Sequence, residues 1–207
     1  MKAFYRLCAV VLMFAGAASA QVGTNTAVLN ADLATEKELA ALPHMTQTLA
    51  SAVIAKRPFA DATALDSTLG ALTPAQRQEI YVKLFQPINL NTASEAEMLL
   101  IPGMNKRMAH EFEEYRPYTS LAQFRKEIGK YADAKEVARL EQYAFIPMSL
   151  NTASEADFAS IPGMNKRMVH EFMEYRPYTS IEQFRKEIGK YVDAKEVARL
   201  ERYVTLK

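Results

Sequence analysis

The sequence predicts an all-α protein: three tandem units of roughly 60 residues, each of about four short helices, preceded by a signal peptide. Three observations predict it. Residues 90–143 lie on residues 150–203 at a shift of 60, with no gap and only ten differences. Each copy repeats the same helix-start residues, at Ser94, Ser120 and Asp133 in one and Ser154, Ser180 and Asp193 in the other. The chain opens on a charged, then apolar, then small-residue stretch.

The N-terminal stretch comes first. Lys2 and Arg6 form a positive region ahead of the apolar residues 7–18. That run is short for a bilayer, which takes about 20 apolar residues. Ala18-Ser19-Ala20 supplies the small-x-small pattern, so cleavage is expected after Ala20 and residues 1–20 do not belong to the fold. No stable membrane span is expected after cleavage, and the implied location is periplasmic or secreted. Cys8, the sole cysteine, leaves with that segment, so neither a disulfide framework nor thiol chemistry is expected. The 25 basic and 24 acidic residues become 23 and 24 once Lys2 and Arg6 are gone, a net of −1. A protein that binds nucleic acid through a wholly basic surface looks different; any anion site here is local. Residues 21–28 are expected to form a flexible N-terminus.

Internal repetition sets the rest of the organisation. Residues 88–147 and 148–207 are the near-identical second and third units. Residues 29–87 form a worn first copy at a shift of 59: Ala34-Thr35-Glu36 falls on Ala93-Ser94-Glu95, Leu42-Pro43 on Ile101-Pro102, Arg57-Pro58-Phe59 on Arg116-Pro117-Tyr118, and Gly70 on Gly129. Within one unit, helices are predicted at about 94–101, 106–115, 121–128 and 134–143. Ser94-x-x-Glu97, Ser120-x-x-Gln123 and Asp133-x-x-Glu136 read as capping boxes. Pro102-Gly103 breaks the first helix, Pro117 ends the second, and Gly129 is the expected residue just past the third. Phe112, Tyr115, Phe124, Ile128, Val137 and Leu140 fall at helical spacings and give each helix an apolar face. Helices this short need one another, and contacts between neighbouring units are expected to enlarge the small cores.

The candidate site is a corner. Ile101-Pro102-Gly103-Met104-Asn105-Lys106-Arg107-Met108 recurs unchanged at 161–168. A glycine turn that feeds a helix start leaves several backbone amides pointing one way without intrahelical partners. Amides and helix dipole together favour an anion, and a phosphate oxygen fits. Gly103 and Gly163 permit close approach, while Asn105 and Asn165 are residues that tolerate a positive φ. Lys106/Arg107 and Lys166/Arg167 stand where the dipole disfavours cations, which a bound anion would explain. The predicted phosphate-binding residues are therefore Gly103, Met104, Asn105, Lys106 and Arg107, with Gly163, Met164, Asn165, Lys166 and Arg167. Two plainer readings stay open here: a turn the fold needs for itself, and ordinary solvated helix charges. Pro43-His44-Met45-Thr46 has no hairpin glycine and no basic pair after it, so phosphate binding is not expected there.

This corner has the form of a helix–hairpin–helix motif. With the flanking Leu90-Asn91-Thr92-Ala93-Ser94 and Tyr115-Arg116-Pro117-Tyr118, it resembles the competence-type periplasmic DNA receptors of the ComEA family, once per unit. The resemblance implies a secreted protein that binds double-stranded DNA without sequence preference, with DNA uptake as its setting and uptake or envelope proteins as further partners. A repeat scaffold for proteins, with no DNA binding, is the competing expectation. Tyr115-Arg116-Pro117-Tyr118 is read as loop packing rather than base stacking. His44, His110 and His170 stand alone, so neither a metal nor a cofactor is expected. With no nucleophile–base grouping or nucleotide loop, neither enzyme activity nor a small-molecule substrate is expected.

Overall fold

The structure, a computed structural model, describes residues 21–23 and 27–206. Each of the twelve helices among the described residues starts on a short polar side chain (Thr, Ser, Asp or Asn) that accepts a hydrogen bond from the amide three residues on. Such a cap contributes about 1 kcal/mol, and short helices depend on it most. The helices come in three sets of four. The first holds α1 (Glu36–Ala40), α2 (Gln47–Lys56), α3 (Ala62–Thr68) and α4 (Pro74–Tyr81). The second holds α5 (Glu95–Leu99), α6 (Lys106–Glu114), α7 (Leu121–Ile128) and α8 (Ala134–Glu141). The third holds α9 (Glu155–Ala159), α10 (Lys166–Glu174), α11 (Ile181–Ile188) and α12 (Ala194–Glu201).

Three local expectations are corrected. Of the predicted capping boxes, only Ser94/Glu97 and its copy Ser154/Asp157 are reciprocal. Gln123 instead accepts from the Thr119 amide, and Glu136 turns to Arg139. Gly129 and Gly189 have φ of −61° and −62°, so neither is a left-handed residue past a helix end. Helix α5 stops short of the predicted 94–101 because the Leu100 and Ile101 amides turn to carbonyls three residues back.

The protein is mostly helical, but the all-α expectation misses six two-residue strands. Strand β1 (Leu29–Asn30) pairs in parallel with β2 (Leu84–Phe85), β3 (Ile88–Asn89) with β4 (Ala144–Phe145), and β5 (Met148–Ser149) with β6 (Val204–Thr205). Two residues carry no periodicity to read. Each pair sets the start and finish of one repeat side by side. An arginine braces each start: Arg57 donates to the Ala31 and Ala34 carbonyls, Arg116 to Leu90 and Ala93, and Arg176 to Leu150 and Ala153. The peptide bond after each of these arginines is cis.

One continuous core runs through the first and second repeats, from Val28 and Leu39 through Phe59 and Ile88 to Phe112, Phe124 and Leu140. A separate core holds Phe158, Phe172, Phe184 and Tyr203 of the third repeat, together with Val22 and Phe145. The first repeat also reaches the third, beyond the neighbour contacts that tandem order suggests. Asn30 donates to the Tyr203 hydroxyl at 3.2 Å, Arg202 to the Pro87 carbonyl at 2.9 Å, and Arg202 Nη1 lies 3.8 Å from Asp32.

Residues 21–23, expected to be flexible, are anchored instead. Val22 is buried and bridges antiparallel to Phe145, and the Ile146 amide donates to the Gln21 carbonyl at 2.9 Å. Gly23 lies so close to Glu141 that an added Cβ would fall 2.1 Å from its carbonyl oxygen. The expected signal peptide, residues 1–20, lies outside the described residues. No helix among the described residues is long and apolar enough to cross a membrane.

Candidate functional site

At the second repeat's corner the chain leaves α5 through turns of three residues, and the Met104 amide bonds back to the Ile101 carbonyl at 3.0 Å. Gly103 takes φ of +77°, and the half-buried Met104 side chain packs on the core. Asn105 does not use a positive φ, contrary to expectation. It sits extended at −129° as the cap of α6, where its side-chain oxygen accepts from the Met108 amide at 2.9 Å. One of the amides expected to be bare is thus occupied by the protein's own side chain. The amides of Gly103, Asn105, Lys106 and Arg107 have no protein acceptor among the described residues.

Cations surround this corner. Lys106 has an 84% exposed side chain, with Glu95 at 4.0 Å, and Arg107 is exposed with no ion pair among the described residues. A third cation comes from α8. Arg139 Nη2 lies 3.5 Å from the point a Cβ on Gly103 would occupy. Glu136 grips Arg139 through Nε and Nη2 at 2.7 and 2.6 Å, and the guanidinium lies over the Tyr143 ring at 5.8 Å. Those hydrogen bonds raise the arginine's pKa although burial opposes them, and they hold the Glu136 carboxyl below its ordinary value. Arg139 is absent from the sequence-predicted site. Its role arises from packing α8 over the hairpin, and nothing in local spacing announces that.

The third repeat's corner has the same residues in a different setting. Gly163 again has φ of +77°, and Asn165 caps α10 through the Met168 amide at 3.0 Å. Here the first repeat intrudes: Leu33 Cδ1 and Cδ2 lie 3.2 and 3.3 Å from the Cβ position of Gly163. Arg199, the counterpart of Arg139, is buried and donates Nη1 to the Pro162 carbonyl at 2.6 Å. Lys166 is exposed, and Arg167 lies over the Tyr191 ring at 5.3 Å. In the first repeat His44 holds the corner at φ of 59° and pairs with Glu79 at 2.9 Å. Thr46 is the cap there, and Gln47 and Thr48 stand where the cations would be.

The remaining singled-out residues serve packing. Tyr118 is buried with its amide on Asn91, and Tyr115 bonds Tyr131 at 2.9 Å. Buried Glu111 and the Tyr115 hydroxyl both act on Tyr131; the Tyr115 hydrogen bond is the stronger, and together they push its pKa well up. His110 and His170 each face a glutamate one turn on, at 3.9 and 3.4 Å.

No family model matches the chain, and no solved structure does. A curated protein of Xenopus laevis, "Endonuclease/exonuclease/phosphatase family domain-containing protein 1", is similar: 27% identical over 130 residues, covering 46% of this chain. The chain spans only 23% of that relative's length.

Proposed function

We propose that this is an exported helix–hairpin–helix protein that binds double-stranded DNA non-specifically through backbone phosphates. The corners at 103–107 and 163–167 are its contacts. The observation that carries the reading is the exposed second corner, where four amides without a protein acceptor lie beside Lys106, Arg107 and Arg139. Amides at a helix start are ready donors for an anion, and the guanidinium adds planar donors suited to phosphate. Each contact positions the protein and reads no base. The resemblance to the ComEA family points the same way, as does the first 20 residues' layout as a signal peptide. The relative's name carries the words endonuclease, exonuclease and phosphatase. The role proposed here is binding, because the corner assembles donors and cations rather than a nucleophile with its base.

A scaffold reading has one observation in its favour: the first repeat, through Leu33, already treats the third corner as a protein-docking surface. Binding of labelled duplex across a salt series separates the two. The DNA reading expects micromolar-range affinity, about 10⁻⁴–10⁻⁶ M, with a log–log salt slope near −0.9 per phosphate contacted. Reversing Lys106→Glu, Arg107→Glu, Lys166→Glu and Arg167→Glu together then abolishes binding. Undiminished binding by that variant, or none by the parent at low salt, leaves the scaffold reading standing. Incubating the same duplex with magnesium checks for cleavage, and intact DNA is expected.

A further inference from the structure

We propose that the first repeat is an internal mask on the third repeat's corner, so that the closed protein meets DNA through the second corner alone and gains a second contact when the mask lifts. This rests on reading both corners as phosphate sites. None of the ten differences between the second and third repeats falls within 101–108 or 161–168, so the two corners are identical in sequence. Any difference in what they do comes from their neighbours.

Those neighbours are specific. Leu33 occupies the position that is Thr92 in the second repeat and Thr152 in the third, and its methyl groups rest against Gly163. A phosphate that needs backbone approach at Gly163 meets the Leu33 methyls beside the Arg199 guanidinium, while at Gly103 it meets the Arg139 guanidinium with no aliphatic neighbour that close. Arg202, one of the ten differences, stands where the second repeat has Gln142. Its guanidinium reaches the Pro87 carbonyl and lies near Asp32, tying the third repeat to the first. Arg199 keeps Nη2 3.3 Å from the Cβ position of Gly163, but it is buried and its Nη1 is bonded to the Pro162 carbonyl, whereas Arg139 is part exposed.

The mask lies along a seam and not within a core. The first and second repeats share one apolar cluster; the third has another, which Val22 and Phe145 enter but no residue of the first repeat does. Between the second and third lies a cleft of about 800 Å³, lined by Asn91, Thr119, Thr152 and Arg202 together with Tyr118, Met148 and Val204. Arg202 Nη1 is buried at this seam without a hydrogen bond, and an unsatisfied buried donor costs free energy. Contacts between the first and third repeats include the Asn30–Tyr203, Arg202–Pro87 and Arg202–Asp32 pairs and Leu33, none of which lies inside either apolar cluster except Tyr203.

The test is lysine acetylation footprinting of the protein with and without a short duplex, read by mass spectrometry. Duplex is expected to slow acetylation of Lys106 several-fold and to leave Lys166 unchanged. In the double variant Leu33→Thr with Arg202→Gln, which installs residues the second repeat already accommodates, both lysines are expected to be protected. Leu33→Thr alone serves as the milder variant, and far-ultraviolet circular dichroism checks that each remains folded. Equal protection of both lysines in the parent protein overturns the mask. So does a folded variant in which Lys106 is protected and Lys166 is not. If neither lysine is protected in any protein, the DNA reading falls, and the mask falls with it.

Discussion

Arg116 and Arg139 lie on the same repeat and do different things with the same side chain. Arg116 spends its fork on two carbonyls, those of Leu90 and Ala93, at 2.6 Å each. Removing it strands both acceptors, and hydrogen bonds from a charged donor are worth about 1.5–3 kcal/mol. Arg116→Ala is expected to cost about 3 kcal/mol in a urea titration, and Arg116→Lys to recover little of it, because a lysine is a point donor. Arg139 sets Nη2, which Glu136 holds, beside Gly103. Arg139→Gln is expected to weaken DNA binding and reduce the salt slope by about 1. Arg199→Gln, at the buried counterpart, is expected to lower stability and leave the slope unchanged. Lys106 and Arg107 were legible in the sequence because they adjoin the glycine. Arg139 was not, because no local pattern reveals which helix packs over a turn. Asn105 was half legible: its place at the corner was clear, its use as a cap was not. A small polar residue serves either a positive φ or a helix start, and only the backbone decides.

At the scale of elements, the caps and prolines placed the helices well, since each acts within four residues and leaves its mark in that span. The strands escaped because two residues paired across a whole repeat have no local signature. The capping-box pattern overreached where a competing partner stood nearby, as with Glu136 and Arg139. That pair also predicts a pH effect. Hydrogen bonding to Arg139 lowers the Glu136 pKa in the folded protein from its ordinary 4.5. The stabilisation is therefore complete above the unfolded-state value and is lost as pH falls through the folded one. The stability difference between the protein and Glu136→Gln is expected to be steady near neutrality and to vanish in acid. A difference that grows on acidification contradicts this assignment.

For the whole molecule, tandem order suggests a row in which each repeat touches its neighbours, yet Asn30, Asp32 and Leu33 of the first repeat meet the third. Sequence similarity between repeats cannot show such a contact, because it depends on the turn the chain takes between them. The anchored N-terminus was also invisible beforehand: three residues without a periodic pattern read as a tail. Val22 nonetheless lies in the third repeat's core cluster and bridges to Phe145. Removing Gln21 to Gly23 is expected to lower stability by about 2 kcal/mol, the scale of burying one valine, seen as a drop in Tm.

Phosphate binding at the second corner depends most on its four unoccupied amides. Amide chemical shifts of the ¹⁵N-labelled protein, followed while a short duplex is added, test them directly. The amides of Gly103, Asn105, Lys106 and Arg107 are expected to move downfield together and saturably. That of Met108, already held by Asn105, is expected to stay nearly still. Shifts confined to other surfaces, or an unchanged Gly103 amide at saturating duplex, would contradict the account.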